Sequence, residues 1–340
     1  MFCTLISQVH VSEGSTVPDH CRVFALSDSR DSAFSARCRH QHKDSCDRCA
    51  LLLSTLDDID IALNAQMSSL SDGEEVSFIV KQARASILSW KAHILRSIHQ
   101  DAARIDLLES LDESSVLVVQ DWAMKYLPRK YRESQTDWFG KRGIPWHLSV
   151  AFRKVNDEMQ LLTFCHIFRA CSQDSGAVVA VMADVVRQLK STMPSLTNVY
   201  YRQDNAGCYH SALTIVCASL LGKQEGVAVK RLDFSDPQGG KGACDRKAAT
   251  IKSHMRVYLD SGNDIETPEQ MYEAITSFGG VPSCSVSICE SATYPDLPQY
   301  KINGVSFLTN IEYSRAGIRV WRAYGIGKGK KLPKQQPPPK

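Results

Sequence analysis

Apolar positions along the chain change period several times, and each change predicts an element. From Ala50 to Asp112 they recur at three- and four-residue steps, through Ile79, Ala83, Ile87, Trp90, Ile94, Ile98, Ile105 and Leu108. That is the spacing of an amphipathic helix, and a Ser-Leu-Ser-Asp-Gly break at 69 to 73 divides the stretch into a helical pair. A stripe of this kind is expected to be buried as core. From Ser114 the pattern shortens to strand-like runs at 116 to 120, 146 to 153 and 160 to 168. A helix at 176 to 191, stopped before Pro194, comes next. Then follow a strand at 197 to 203, a helix from about 208 to 221, a strand at 226 to 234 and a helix from about 244 to 259. Strand, strand, strand, helix, strand, helix, strand, helix predicts an α/β fold with a mixed sheet, in which the first and fourth strands lie side by side. Past this core, Thr267-Pro-Glu-Gln270 has the form of a capping box with proline at the first helical position. Strand-like runs near 284 to 289, 304 to 312 and 317 to 324 either extend the sheet or form a small appended unit.

Composition narrows the class. With 43% hydrophobic and 23% charged residues, the chain is that of an ordinary globular protein, and 340 residues exceed one typical domain. The expected organisation is a zinc-binding module at 1–50, a helical region at 51–113, an α/β core at 114–262, an α+β extension at 263–326 and a disordered basic tail at 327–340. No apolar run reaches the ~18 residues of a membrane span, and the N-terminus lacks a basic region followed by an apolar one. An intracellular, reducing setting is the expectation, with the twelve cysteines as thiols or metal ligands. Five of the twelve fall in the first 50 residues, and Cys46 and Cys49 have the two-residue gap of a zinc knuckle. Cys38 and His42 are the expected companions, with Cys21 or His40 as substitutes.

Three acids carry the chemistry. Asp121 ends the apolar strand Val116-Leu-Val-Val-Gln, Asp204 follows Val199-Tyr-Tyr-Arg-Gln, and Asp245 opens an amphipathic helix. Two divalent ions at a phosphoryl-transfer site need hard oxygen ligands at fixed separation, with one carboxylate bridging both. Singly, each acid reads as a turn former or a helix-start residue favoured by the dipole; together, in matching positions of one sheet, they read as a metal site. Asp233, Asp236, Glu266 and Glu269 compete for the third position. Between the first two strands, Lys125, Arg129, Lys130, Arg132, Lys141 and Arg142 interleave with Tyr126, Tyr131, Trp138 and Phe139. Such a segment neutralises phosphates and stacks on unpaired bases, or else is a solvated loop with its aromatics in the core. The glycine-rich Pro237-Gln-Gly-Gly-Lys-Gly-Ala-Cys-Asp245 lacks P-loop spacing, so Lys241 is expected on a DNA phosphate and not on a nucleotide. From Tyr313 to Lys340 there are eight basic residues and no acid, which suits DNA contact or nuclear import.

The order of elements, with acids after the first and fourth strands and on the helix after the fifth, resembles the RNase H-like core of DDE/DDD transposases and retroviral-type integrases. The strings Gln-Asp-Trp-Ala-Met-Lys-Tyr-Leu-Pro and Arg-Gln-Asp-Asn-Ala-Gly-Cys-Tyr-His look like those of transposon-derived proteins of animal genomes. The resemblance covers residues 115 to 260. It implies a five-stranded mixed sheet with flanking helices, with Asp121 bridging two Mg²⁺ or Mn²⁺ ions and Asp204 and Asp245 holding one each. Lys252, two turns after Asp245, then faces substrate phosphate. The implied activity is metal-dependent polynucleotidyl transfer on DNA in the nucleus. A domesticated, inactive DNA- or protein-binding relic is the alternative, and a DEDD-type exonuclease is a weaker one. DNA is the implied partner, homo-oligomer formation stays open, and neither a membrane nor a small-molecule substrate is expected. Cys208 and His210 depart from the Cys/Asp-x-x-His pair of many eukaryotic transposases by one residue.

Overall fold

The computed structural model describes residues 11–66, 72–136, 139–236, 242–290 and 300–333. The chain divides into two units, residues 1–103 with 323–329 and residues 104–322 with 330–340.

In the first unit a 3₁₀ turn (Pro18–His20) and a one-turn helix (Arg22–Ala25) precede α1 (Asp47–Gln66) and α2 (Gly73–Ser110), the last turns of α2 belonging to the second unit. Arg84 of α2 grips α1 at Asp57 (2.7 Å) and Asp60 (2.9 Å). The apolar stripe of α2 is not the continuous core that its spacing predicts: Ile79 is 55% and Trp90 48% exposed, and Ile87 and Ile105 are exposed as well. Length explains part of this. At 1.5 Å per residue α2 runs about 57 Å against about 30 Å for α1, so α2 has more apolar turns than α1 can cover.

The second unit holds one nine-stranded sheet in the order β6-β3-β2-β1-β4-β5-β7-β8-β9. The strands are β1 (Ser115–Tyr126), β2 (Ile144–Val155), β3 (Glu158–Phe168), β4 (Asn198–Gln203), β5 (Ala228–Phe234), β6 (Cys284–Cys289), β7 (Asn310–Ser314), β8 (Gly317–Trp321) and β9 (Lys330–Lys331). β1 pairs antiparallel with β2 and parallel with β4, and β4 pairs parallel with β5. Nine strands replace the expected five because the C-terminal segments join the same sheet: β6 adds to the β3 edge, and β7 to β9 continue from β5. An unpaired sheet edge exposes a row of backbone donors and acceptors, which these additions satisfy. Within the tail expected to be disordered, Lys330 and Lys331 form β9, pairing with Val320 and Arg319; residues 334–340 lie outside the described residues.

Four helices cover the sheet: α3 (Ser175–Thr192), α4 (Ala212–Gln224), α5 (Ala243–Asp260) and α6 (Pro268–Thr276). Alternation along β2 sorts the two faces. Trp146, Leu148 and Val150 meet Ile251, Met255 and Met271 from α5 and α6 in one core. Their neighbours His147 and Ser149 are buried on the opposite face. Each such buried aliphatic side chain contributes roughly 1.5–3 kcal/mol. Caps set the helix starts. Thr214 N–H donates to Ser211 Oγ (3.1 Å), so α4 begins at 212 and not at 208. Thr267 and Gln270 form the predicted capping box ahead of α6.

Candidate functional site

The parallel β1–β4 register aligns Gln120 with Gln203, the last residue of β4. The next residue on each chain is an aspartate, Asp121 and Asp204. Asp121 is not at a strand end, as the apolar run alone predicts; β1 continues to Tyr126 against β2, with a register shift between Ala123 and Tyr126. What ends at this point is β4, so the sheet loses one neighbour beside Asp121 and opens a notch.

Parity fixes the faces. Val119 and Ala123, two residues either side of Asp121, pack against the α5/α6 core, so Asp121 points to that face. Gln203 points the other way, toward Met182 of α3 (Nε2 to Sδ 3.5 Å). The third acid reaches the same face through the docking of α5. Cys244, buried in its first turn, donates its thiol to the carbonyls of Val119 (3.3 Å) and Leu148 (3.6 Å), which seats the helix start across β1 and β2. Asp245 follows, with Oδ2 accepting the Gly242 N–H at 3.0 Å. A cleft of about 250 Å³ opens here, with Asp121, Met124, Leu148, Asp245, Ala248 and Lys252 in its lining.

Asp204 and Asp245 act on Asp121. The Asp121 carboxyl is pushed up to about 7, first by burial and then by the charges of Asp204 and Asp245, against a small opposing pull from the Trp122 N–H. None of the three acids has a lysine or arginine ion pair among the described residues. Tyr209 is buried close by; its hydroxyl is pushed well above the usual range by burial and by the Asp121 charge, and it has no hydrogen-bond partner among the described residues. Its aromatic character makes it look like ordinary core in the sequence, and nothing in its spacing singles it out.

The competing acids are committed elsewhere. Buried Asp233 accepts from Arg231 Nε and Asn310 Nδ2, both at 2.8 Å. Glu266 pairs with Lys130 at 3.7 Å and Glu269 with Arg169 at 2.7 Å. Asp236 is buried and is also engaged. His210 is structural: it stacks on Phe234, its Nδ1 is hydrogen-bonded to the Asn205 side-chain oxygen, and its Nε2 lies 2.8 Å from the Leu308 carbonyl.

Of the basic residues predicted to hold nucleic acid, Lys252 lines the cleft with its Nζ 5.8 Å from the Trp146 ring centroid. Lys125, Arg129, Arg132 and Arg142 are exposed, beside exposed Tyr131 and Phe139. Lys130 and Lys141 are spent on the fold itself. Lys141 is tied to Glu133 and donates to the Pro128 carbonyl at 2.8 Å. Lys241 and Trp138 lie outside the described residues, as does most of the glycine-rich loop.

The cysteine-histidine residues of the N-terminal segment fall into two groups. Cys21, Cys38, His40 and His42 form one, and His20, Cys46 and Cys49 the other, with the ligand atoms of each within 4.8 Å of one another. The predicted set of Cys38, His42, Cys46 and Cys49 is thus divided between them, because Cys46 and Cys49 open α1 while Cys38 and His42 fold back onto Cys21.

Residues 100–294, more than half of the chain, match the model of a family described as "Domain of unknown function (DUF8701)", and the chain belongs to that family. No curated protein matches it. Among solved structures it is similar to the human cytomegalovirus terminase nuclease domain, Mn soaked and inhibitor bound. The identity is 12% and the TM-score 0.23, over 54% of this chain and 70% of that one.

Proposed function

We propose that the chain is a metal-dependent polynucleotidyl transferase of RNase H-like architecture, resembling transposases, that acts on DNA phosphodiester bonds in the nucleus. The observation that carries this reading is the action of two carboxylates, Asp204 just past the end of β4 and Asp245 in the first turn of α5, on a third, Asp121 of β1. Their charges raise the proton affinity of Asp121, and none of the three has a lysine or arginine ion pair among the described residues. Like charges gathered in a partly buried notch are unfavourable unless something neutralises them. An all-oxygen donor set of this kind suits Mg²⁺ or Mn²⁺. Asp121 would hold both ions, and Asp204 and Asp245 one each. When bound, such ions activate an attacking oxygen and offset charge on the phosphate and leaving oxygen.

The rest of the site belongs to the chain. The Cys244 contacts fix Asp245 relative to β1 and β2, and the Gln120–Gln203 pair fixes Asp204 relative to Asp121. Lys252 is on the wall of the cleft, where it would meet a substrate phosphate. Exposed Arg129, Arg132, Tyr131 and Phe139 suit an unpaired strand led toward the notch, by charge neutralisation and stacking.

One observation favours the alternative of an inactive, domesticated DNA-binding protein. Asp245 already has a structural task, capping α5 through Gly242. Mn²⁺-dependent nicking of labelled duplex DNA by the purified chain separates the two. Nicking that disappears in Asp121→Ala, Asp204→Ala and Asp245→Ala supports the enzyme. Absence of nicking by the wild type, with DNA retained at low salt and released at high salt, supports the binder.

A further inference from the structure

We propose that the segment before α1, together with the first turn of α1, binds two zinc ions in nested order, one held by Cys21, Cys38, His40 and His42 and the other by His20, Cys46 and Cys49. Along the chain the first set lies inside the second, and the adjacent residues His20 and Cys21 serve different ions. This goes beyond the carboxylate site, which lies in the other unit.

Distances argue first. The Cys21 and Cys38 sulfurs are 3.6 Å apart and His20 Nε2 is 3.3 Å from the Cys49 sulfur. A tetrahedral zinc with Zn–S near 2.3 Å and Zn–N near 2.05 Å has S···S and S···N edges of about 3.8 and about 3.6 Å. Both observed separations lie within a few tenths of an ångström of these edges. A disulfide would require about 2.05 Å between sulfurs, so Cys21 and Cys38 remain two thiols.

The surroundings of the ligands argue second. His40 Nε2 lies 3.0 Å from the Ser15 carbonyl; a hydrogen bond there places the proton on Nε2 and leaves Nδ1 as a lone-pair donor. His42 Nε2 is buried and has no hydrogen-bond partner among the described residues, although an imidazole nitrogen so placed needs either a proton acceptor or a metal. In the second set, His20 sits beside Asp19, which is anchored to Lys91 of α2 at 2.9 Å.

Folding argues third. Residues 11–46 contain one 3₁₀ turn and one helical turn, and contribute only Cys21 and Phe34 to the buried hydrophobic residues. A stretch of about 40 residues with so little apolar burial ordinarily requires a metal or disulfides to hold its shape. Mixed sulfur and imidazole donors in tetrahedral reach select zinc. Among the described residues the second set has three ligands.

Native mass spectrometry of the full chain, expressed with zinc in the medium, counts the ions. Two zinc ions per chain are expected, with Cys21→Ser and Cys46→Ser each retaining one; one ion or none in the wild type overturns the proposal, as does either variant that keeps both. A second readout needs no variant. Cysteine alkylation of the wild type, with and without a zinc chelator, should show Cys21, Cys38, Cys46 and Cys49 protected together and released together. Labelling of any of these four that is indifferent to the chelator contradicts its assignment as a ligand.

Discussion

Gln203 at the end of β4 donates its side-chain amide to Gln120 Oε1 of β1 at 2.8 Å, and Gln120 passes a second hydrogen bond to Ser149 Oγ of β2 at 3.0 Å. This buried ladder crosses three strands on the sheet face opposite the acids, one residue before Asp121 and Asp204. It keys the strands in register where a slip of one residue would turn an aspartate to the wrong face.

Gln203→Ala removes the donor and leaves Gln120 Oε1 buried without one. A loss of about 1–3 kcal/mol in unfolding free energy is expected. Urea denaturation measures it, and an unchanged midpoint would show that the ladder contributes nothing to the alignment.

The raised Asp121 carboxyl makes the metal-free protein sensitive to pH. The folded state keeps this proton up to about 7, whereas the unfolded carboxyl loses it near 3.8. Between those values folding takes up a proton, so stability falls as pH rises; below the lower value the group contributes nothing, and above the upper one the penalty is complete. Asp121→Asn should therefore stabilise the protein at pH 8 in buffer free of Mg²⁺ and Mn²⁺, by on the order of 2–4 kcal/mol, and have little effect at pH 4. Thermal unfolding across that range checks the sign. A destabilised Asn variant at pH 8 would mean that the three charges do not strain one another.

Lys252 is the cation that the structure places on the wall of the cleft. If it contacts a phosphate, Lys252→Ala weakens DNA binding about equally for all sequences and lowers the slope of log affinity against log salt by about one, while Lys252→Arg restores the slope. Fluorescence anisotropy across a salt series distinguishes this from a lysine that only covers Trp146, for which the slope would not move.

Much of the sheet was legible because its strands announce themselves. The runs ending at Gln120, Phe168, Gln203 and Phe234 are apolar, β-branched or aromatic, and helices capped by Ser211 and Thr267 separate or follow them. The adjacency of β1 and β4, and with it the pairing of Asp121 with Asp204, follows from the expected order of elements. What could not be read locally is what depends on distant partners. β6 to β9 are short and say nothing about which edge they will join. The Ile79 and Trp90 positions have core spacing, but burial depends on how much of α2 a neighbour covers. Lys130 and Lys141 resemble DNA-contact residues until Glu266 and Glu133 are found beside them. The cysteine-histidine groups were visible as composition, while their division was hidden because adjacent residues, His20 and Cys21, face different clusters.

In the proposed function Asp121, Asp204 and Asp245 together hold two divalent ions. Its most direct test is the Mn²⁺ stoichiometry of the zinc-loaded full chain, counted by electron paramagnetic resonance titration of free Mn²⁺, in the wild type and in Asp121→Asn, Asp204→Asn and Asp245→Asn. Two ions for the wild type, neither retained by the Asp121 variant and one retained by each of the others, is the predicted result. Undiminished Mn²⁺ binding by the Asp121 variant, or no binding by the wild type at millimolar Mn²⁺, would contradict it.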